Sequence, residues 1–301
     1  MNVPPIRIKP IFRKAVKFVV SLFCVACLVV FCYKVWTGRN DIASAFDAFF
    51  SSPHLIAAEV VLLFVNLALE VFRWQKLRSV FTQGTWRDDI AATLRSVSLG
   101  NSTPANIGEH VGRGMTYDNK GSATMASLVA SVVQTAAIVA WGFFASLFFF
   151  GTGDDFVPSV AVSVCLWGSL ACALIAAVLY FVFRNRISPV GSWGGGVAFA
   201  FVINVAKVAV FSFQFALLLS VGSFPSLVVL FAVATYYFFV TIVPRVNIID
   251  VGLKGGLANW ILTPLCEESV VASSVIFIWV LNIVIPSAIG FISLAFRKRN
   301  S

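Results

Sequence analysis

Long apolar runs, each closed by charged or helix-breaking residues, set the pattern of this chain. A run of about 20 apolar residues fits a hydrocarbon core about 30 Å thick. Such runs fall at about residues 18–36, 54–72, 122–150, 157–183, 197–220, 224–243 and 269–296. Residues 250–266 are more polar and glycine-rich. Lysine and arginine concentrate between the runs, which is the positive-inside signature. Placing both Arg245 and the Arg297–Lys298–Arg299 cluster in the cytoplasm requires 250–266 to cross as a short or broken segment, giving eight crossings; a re-entrant segment gives seven. The expectation is an all-α polytopic transmembrane helix bundle in one membrane domain over 1–301, with about 7–8 spans, two broken or re-entrant segments, and both termini cytoplasmic. The stretch 85–99 reads as an amphipathic helix between spans.

Composition agrees with that pattern. The chain is 59% hydrophobic and only 12% charged, whereas a soluble domain is about a quarter charged. Its net charge of +9 is spread between apolar runs and not gathered in a patch, so no nucleic-acid partner is expected. Ala43-Ser44-Ala45 looks like a cleavage site, but Lys34 at the end of the first run, and Arg39 and Asp41 after it, stand before that site. An uncleaved first helix is favoured. Cys24-Val25-Ala26-Cys27 lies inside an apolar run, and His54 and His110 are far apart. No metal and no cofactor are expected, and no Walker-type loop for ATP is present.

Two polar segments stand out. Thr103 to Arg113 contains Thr103, Pro104, Asn106, Gly108, Glu109, Gly112 and Arg113; Pro244 to Gly256 contains Asn247, Gly252, Lys254 and Gly256. Each pairs two glycines four apart, a spacing that lets helix backbones approach closely in lipid. Thr103 suits an N-cap and Pro104 a first helical residue, so a helix starting there offers N–H groups to an anion. Glu109 and Arg113 are four apart and share a face. The bland alternative is a pair of loops that happen to hold proline and glycine.

Ionisable groups inside spans are costly and are functional candidates by default. Lys207 sits near the middle of its run, about 15 Å from either end at 1.5 Å per residue. Asn204, Lys207 and Gln214 share its helix face; Glu59, Asn66, Glu70 and Arg73 share another, and Ser127, Ser131 and Gln134 a third. Three polar stripes suggest a partly hydrated interior path lined by Glu59, Asn66, Asn204, Lys207 and Gln214. Lys207 as simple interhelical glue with Glu59 or Glu70 is the alternative.

Phe72-Arg73-Trp74, followed by Pro104-x-x-x-Gly108-Glu109-x-x-x-Arg113, resembles the transmembrane domain of lysylphosphatidylglycerol synthases and their stand-alone flippase-like relatives. Pro244, Gly252, Lys254 and Gly256 look similar to a later motif of that family, with Lys254 where an Arg is expected and Gly255 where a Glu is expected. The resemblance runs from about residue 10 to 296. It implies a lipid flippase or translocase in a bacterial inner membrane, moving a phospholipid or an aminoacylated or glycosylated lipid. It implies headgroup contacts at Thr103, Pro104, Gly108, Glu109, Gly112, Arg113 and Lys254. Membrane lipids would be its partners, with a lipid synthase as a further one. The family's aminoacyl-transferring domain is not among these residues, so transferase chemistry is not expected. Two alternatives remain. One is a membrane enzyme using Asp88-Asp89 or Glu267-Glu268 for acid–base work; the other is a non-transporting partner of a lipid synthase.

Overall fold

The computed structural model describes residues 29, 33, 36–101, 103, 106–152, 157–183, 193–242 and 250–297. Among these the chain is helical, without strands. In chain order the helices are α1 (Arg39–Phe50), α2 (Pro53–Phe81), α3 (Trp86–Asn101), α4 (Ile107–Gly114), α5 (Lys120–Thr152), α6 (Ser159–Phe183), α7 (Trp193–Leu219), α8 (Leu227–Ile242) and α9 (Asp250–Leu262). The tenth, α10, runs as Glu268–Trp279, a π-helical turn Val280–Val284, and Ile285–Arg297. Four helices are long and apolar enough to cross a membrane: α2, α5, Gly194–Leu219 of α7 and Glu268–Ser293 of α10. Shorter apolar helical stretches run over Ser159–Ile175 and Leu227–Ile242. Their outward faces expose Phe64, Val132, Trp167 and Phe291. Hydrocarbon would solvate such a surface, and water would not.

The first apolar run, 18–36, falls almost wholly outside the described residues, as do Cys24, Cys27, Pro104, Pro244 and Asn247. Ala43 to Ala45 lie inside α1, whose Ile42, Ala45 and Phe49 are buried. Phe49 meets Phe277 of α10 edge-on at 6.0 Å.

Local sequence explains three of the helix starts. Pro53 opens α2, where its fixed φ is preorganised and its missing N–H costs nothing. The carboxylate of Asp88 accepts from the Thr85 amide at 2.9 Å and hydroxyl at 2.7 Å, and Asp88 N–H donates back to that hydroxyl at 3.3 Å. This reciprocal box starts α3. The Asn119 side chain accepts from Ser122 N–H at 3.1 Å at the head of α5. Inside α10, Pro286 cannot donate to the carbonyl four residues before it, Asn282. The π-helical turn Val280–Val284 sits directly before that proline and absorbs the lost bond.

The helices pack through small residues. A Cβ on Gly142 of α5 would lie 2.8 Å from the Phe238 ring of α8, and one on Gly168 of α6 would lie 3.0 Å from it. These two glycines therefore seat Phe238, which is fully buried. Phe149, Phe215, Tyr236, Ile261 and Val271 form the main apolar cluster, joining α5, α7, α8, α9 and α10. Helix α2 packs on α7, and α3 lies between α4 and the last part of α10. Helix α3 turns its polar side inward: Asp89, Thr93, Arg95, Ser96 and Ser98 are buried, while Trp86 and Ile90 are exposed.

Candidate functional site

Helix α2 extends nine residues beyond the apolar run at 54–72 and carries its charges with it. Arg73 and Arg78 follow the apolar run in sequence, yet both are buried. Each has a carboxylate to explain this. Arg78 grips Asp89 with two bonds, Nε to Oδ1 at 2.8 Å and Nη2 to Oδ2 at 2.9 Å. Arg73 pairs with Glu70 one turn earlier on the same helix.

Glu70 is the hub of the site. Its carboxylate also accepts from Arg113 Nη2 of α4 at 2.6 Å and from Lys207 Nζ of α7 at 2.5 Å. Arg113 reaches Glu109 as well, at 3.2 Å. Arg73 donates further to Gln134 of α5 at 2.7 Å and to Asn204 of α7 at 3.0 Å. One cluster thus ties α2, α4, α5 and α7, and three cations face two carboxylates. Among the described residues three buried guanidinium nitrogens have no partner: Arg73 Nε, Arg113 Nε and Arg113 Nη1.

A second layer holds the cluster in place. The Arg113 guanidinium stacks over Trp74 at 4.6 Å. Trp74 Nε1 donates to the Tyr117 hydroxyl at 2.8 Å, which donates to Asp89 at 2.6 Å. Burial and that carboxylate raise the Tyr117 pKa above its ordinary value, so the phenol stays a donor. Asp88, by contrast, is held below its ordinary value, first by the Thr85 backbone N–H and then by the Thr85 hydroxyl.

The cluster forms one end of a cavity of about 270 Å³. That is near the lower end for small-ligand pockets, about 300–1,000 Å³. Glu70, Arg73, Glu109, Arg113 and Lys207 form its charged end, and Lys254 of α9 also lines it. Leu63, Ile138, Phe211, Phe215, Val240 and Ile278 form an apolar wall. On α7 the step from Lys207 to Phe215 spans about 12 Å. The space is amphiphilic along its length.

Of the residues singled out from sequence, Asn66, Asn204, Lys207, Glu109, Arg113 and Lys254 line this cavity. Lys207 pairs with Glu70, so it both links helices and lines the cavity. Glu59 and Gln214 do not line it; they are fully buried farther along α2 and α7. Thr103, Gly108 and Gly112 also do not line it and instead shape α4. That helix begins at Ile107 behind Asn106, whose φ is 55°. The Thr103 hydroxyl accepts the Gly108 N–H at 2.6 Å, doing a cap's work from outside the helix. A Cβ on Gly108 would strike the Leu99 carbonyl, and one on Gly112 would lie 3.0 Å from the Arg95 carbonyl. The two glycines lay α4 flat on α3. Gly256 of α9 has nothing within 4 Å of its Cβ position, so it makes no close approach like that of Gly112 on α4.

The sequence reading left Glu70, Arg73, Gln134 and Asn282 out of its site set. Glu70 and Arg73 were visible as part of a polar stripe, three residues apart. Gln134 carried the same signal on α5. Asn282 had a different one: a lone amide four residues before a proline inside an apolar run. Among the described residues no group of three or more His, Cys, Asp or Glu side chains is placed to hold a metal.

No protein-family model matches this chain. No curated protein matches it significantly.

Proposed function

We propose that this chain is a lipid translocase that grips an anionic headgroup in the α2–α4–α7 cavity while the acyl chains stay in the bilayer. The observation that carries the reading is the buried cation cluster at one end of an amphiphilic cavity. Buried ion clusters are poor sources of stability, because each charge costs several kcal/mol to desolvate. Their presence at a cavity wall is better accounted for by a ligand. A phosphate offers acceptors to such cations, and guanidinium groups recognise it in bidentate fashion. Glu70 then acts as a stand-in anion that holds Arg73, Arg113 and Lys207 in place between turnovers. The volume suits a headgroup and not two acyl chains, and the apolar wall suits the glycerol and first methylenes.

The resemblance of Arg73-Trp74 and of Gly108-Glu109 to Arg113 to lysylphosphatidylglycerol synthase membrane domains points the same way. On this reading the chain sits in a bacterial inner membrane with seven or eight crossings and both termini cytoplasmic. Helix α9 supplies a short crossing or a re-entrant arm that brings Lys254 to the headgroup. No aminoacyl transfer is assigned to it.

The test is leaflet exchange of fluorescent phosphatidylglycerol in proteoliposomes, with wild type, Arg113→Ala and empty vesicles compared. The reading expects wild type to speed exchange and Arg113→Ala to return it to the empty-vesicle rate. Equal exchange by folded Arg113→Ala and wild type would remove the site from the mechanism.

A further inference from the structure

Glu59 is a buried acid that the headgroup site does not use. It lies on α2 eleven residues before Glu70, about 16 Å along the helix. It is fully buried, and among the described residues neither carboxylate oxygen closes a full hydrogen bond, the Gln214 side chain being the polar group that borders it. No ion pair reaches it among the described residues; Glu70 takes Arg73, Arg113 and Lys207.

Its surroundings are polar yet uncharged. From α7, Gln214 Nε2 donates to the Glu59 backbone carbonyl at 3.3 Å. From α8, Tyr237 lies within electrostatic reach, and its hydroxyl also lacks a partner. From α10, Asn282 Nδ2 donates to Gln214 Oε1 at 3.1 Å. On α2 itself, Asn66 Nδ2 meets Asn282 Oδ1 at 3.5 Å, and Asn66 Oδ1 is unpartnered. Helix α1 packs at the same end of α2 and turns Ile42, Ala45 and Phe49 inward, while its Asp41 and Asp47 are exposed. Among the described residues Tyr237 is a titratable group in electrostatic reach of Glu59.

We infer that Glu59 is a proton-binding site that couples lipid movement to a proton gradient through the Gln214–Asn282–Asn66 amide chain. The inference rests on the translocase reading for its lipid half and on geometry alone for its proton half. An ionised carboxylate without a counter-ion is expensive in a low-dielectric interior. A carboxylic acid is tolerated there, because it carries no charge to desolvate. When the proton leaves for water, the carboxylate needs donors. Gln214, whose Nε2 already donates to the Glu59 backbone carbonyl, is the group that turns towards it. Turning Gln214 moves the oxygen that Asn282 holds, and Asn282 sits in the π-helical turn and lines the cavity with Asn66. Proton binding at one end of α2 is thereby felt at the headgroup space.

Two measurements on the reconstituted full chain test this. Infrared difference spectra over a pH titration should show a protonated-carboxyl C=O band. The band should vanish in Glu59→Gln and persist, shifted, in Glu59→Asp. In proteoliposomes, a pH step of one unit biases a one-proton exchange by up to about tenfold. Wild-type exchange of fluorescent phosphatidylglycerol should follow the sign of that step, and Glu59→Gln should be indifferent to it. A band that survives in folded Glu59→Gln, a gradient response that survives there, or a response to sodium and not to pH would each overturn the proposal. If wild type moves no lipid, the translocase reading and its coupling fall, while the infrared band still decides whether Glu59 binds a proton.

Discussion

At the scale of single residues, Glu70 should be the most sensitive position. It is the shared anion for three cations inside the protein. Breaking a buried ion pair from one side costs about 3–5 kcal/mol, because the partner is left charged and unpaired. Glu70→Gln should therefore lower the melting temperature strongly in detergent, and an anionic lipid should restore much of the loss by replacing the missing charge. Thermal unfolding with and without phosphatidylglycerol checks both halves. Tyr117→Phe is milder. It removes the bond from Trp74 Nε1 and the bond to Asp89, while Asp89 keeps Arg78. A cost of about 1–2 kcal/mol is expected, with a change in Trp74 fluorescence because the indole N–H loses its acceptor.

At the scale of elements, the α3–α4 contact should tolerate nothing larger than glycine at position 108. A Cβ there meets backbone and not a movable side chain. Gly108→Ala should cost at least about 1–3 kcal/mol as overpacking, seen as faster amide exchange across α4. The start of α3 should depend on pH through Asp88. Its carboxyl is stronger than an ordinary aspartate of 3.8 in the folded protein, so its stabilisation is full above that value and fades as pH falls through the lower folded one. Amide exchange in the first turn of α3 should show that loss, and Asp88→Asn should remove it.

The elements also show what a sequence can and cannot reveal. Period and polarity located the long helices over 122–150 and 197–220 within a few residues of α5 and α7, because an apolar run is a local property. The end of α2 was not local. Arg73 and Arg78 look like a solvated flank until the tertiary fold brings Glu70, Asn204 and Asp89 to them. The inward polar face of α3 reverses the usual sense of amphipathicity for the same reason. The Glu70 stripe and the Lys207 stripe were each legible, but which carboxylate Lys207 takes depended on the register of α2 against α7.

At the scale of the whole molecule, the account turns on one claim: the cavity end built by Arg73, Arg113 and Lys207 binds the anionic headgroup of a lipid. The most direct measurement is equilibrium binding of short-chain phosphatidylglycerol and of the matching neutral diacylglycerol to the purified chain, in wild type and Arg113→Ala. The account predicts that wild type prefers the anionic lipid, and that Arg113→Ala weakens it about tenfold or more, the worth of one or two charged hydrogen bonds. Equal affinity for the neutral lipid, or unchanged phosphatidylglycerol binding in a folded Arg113→Ala protein, would contradict it.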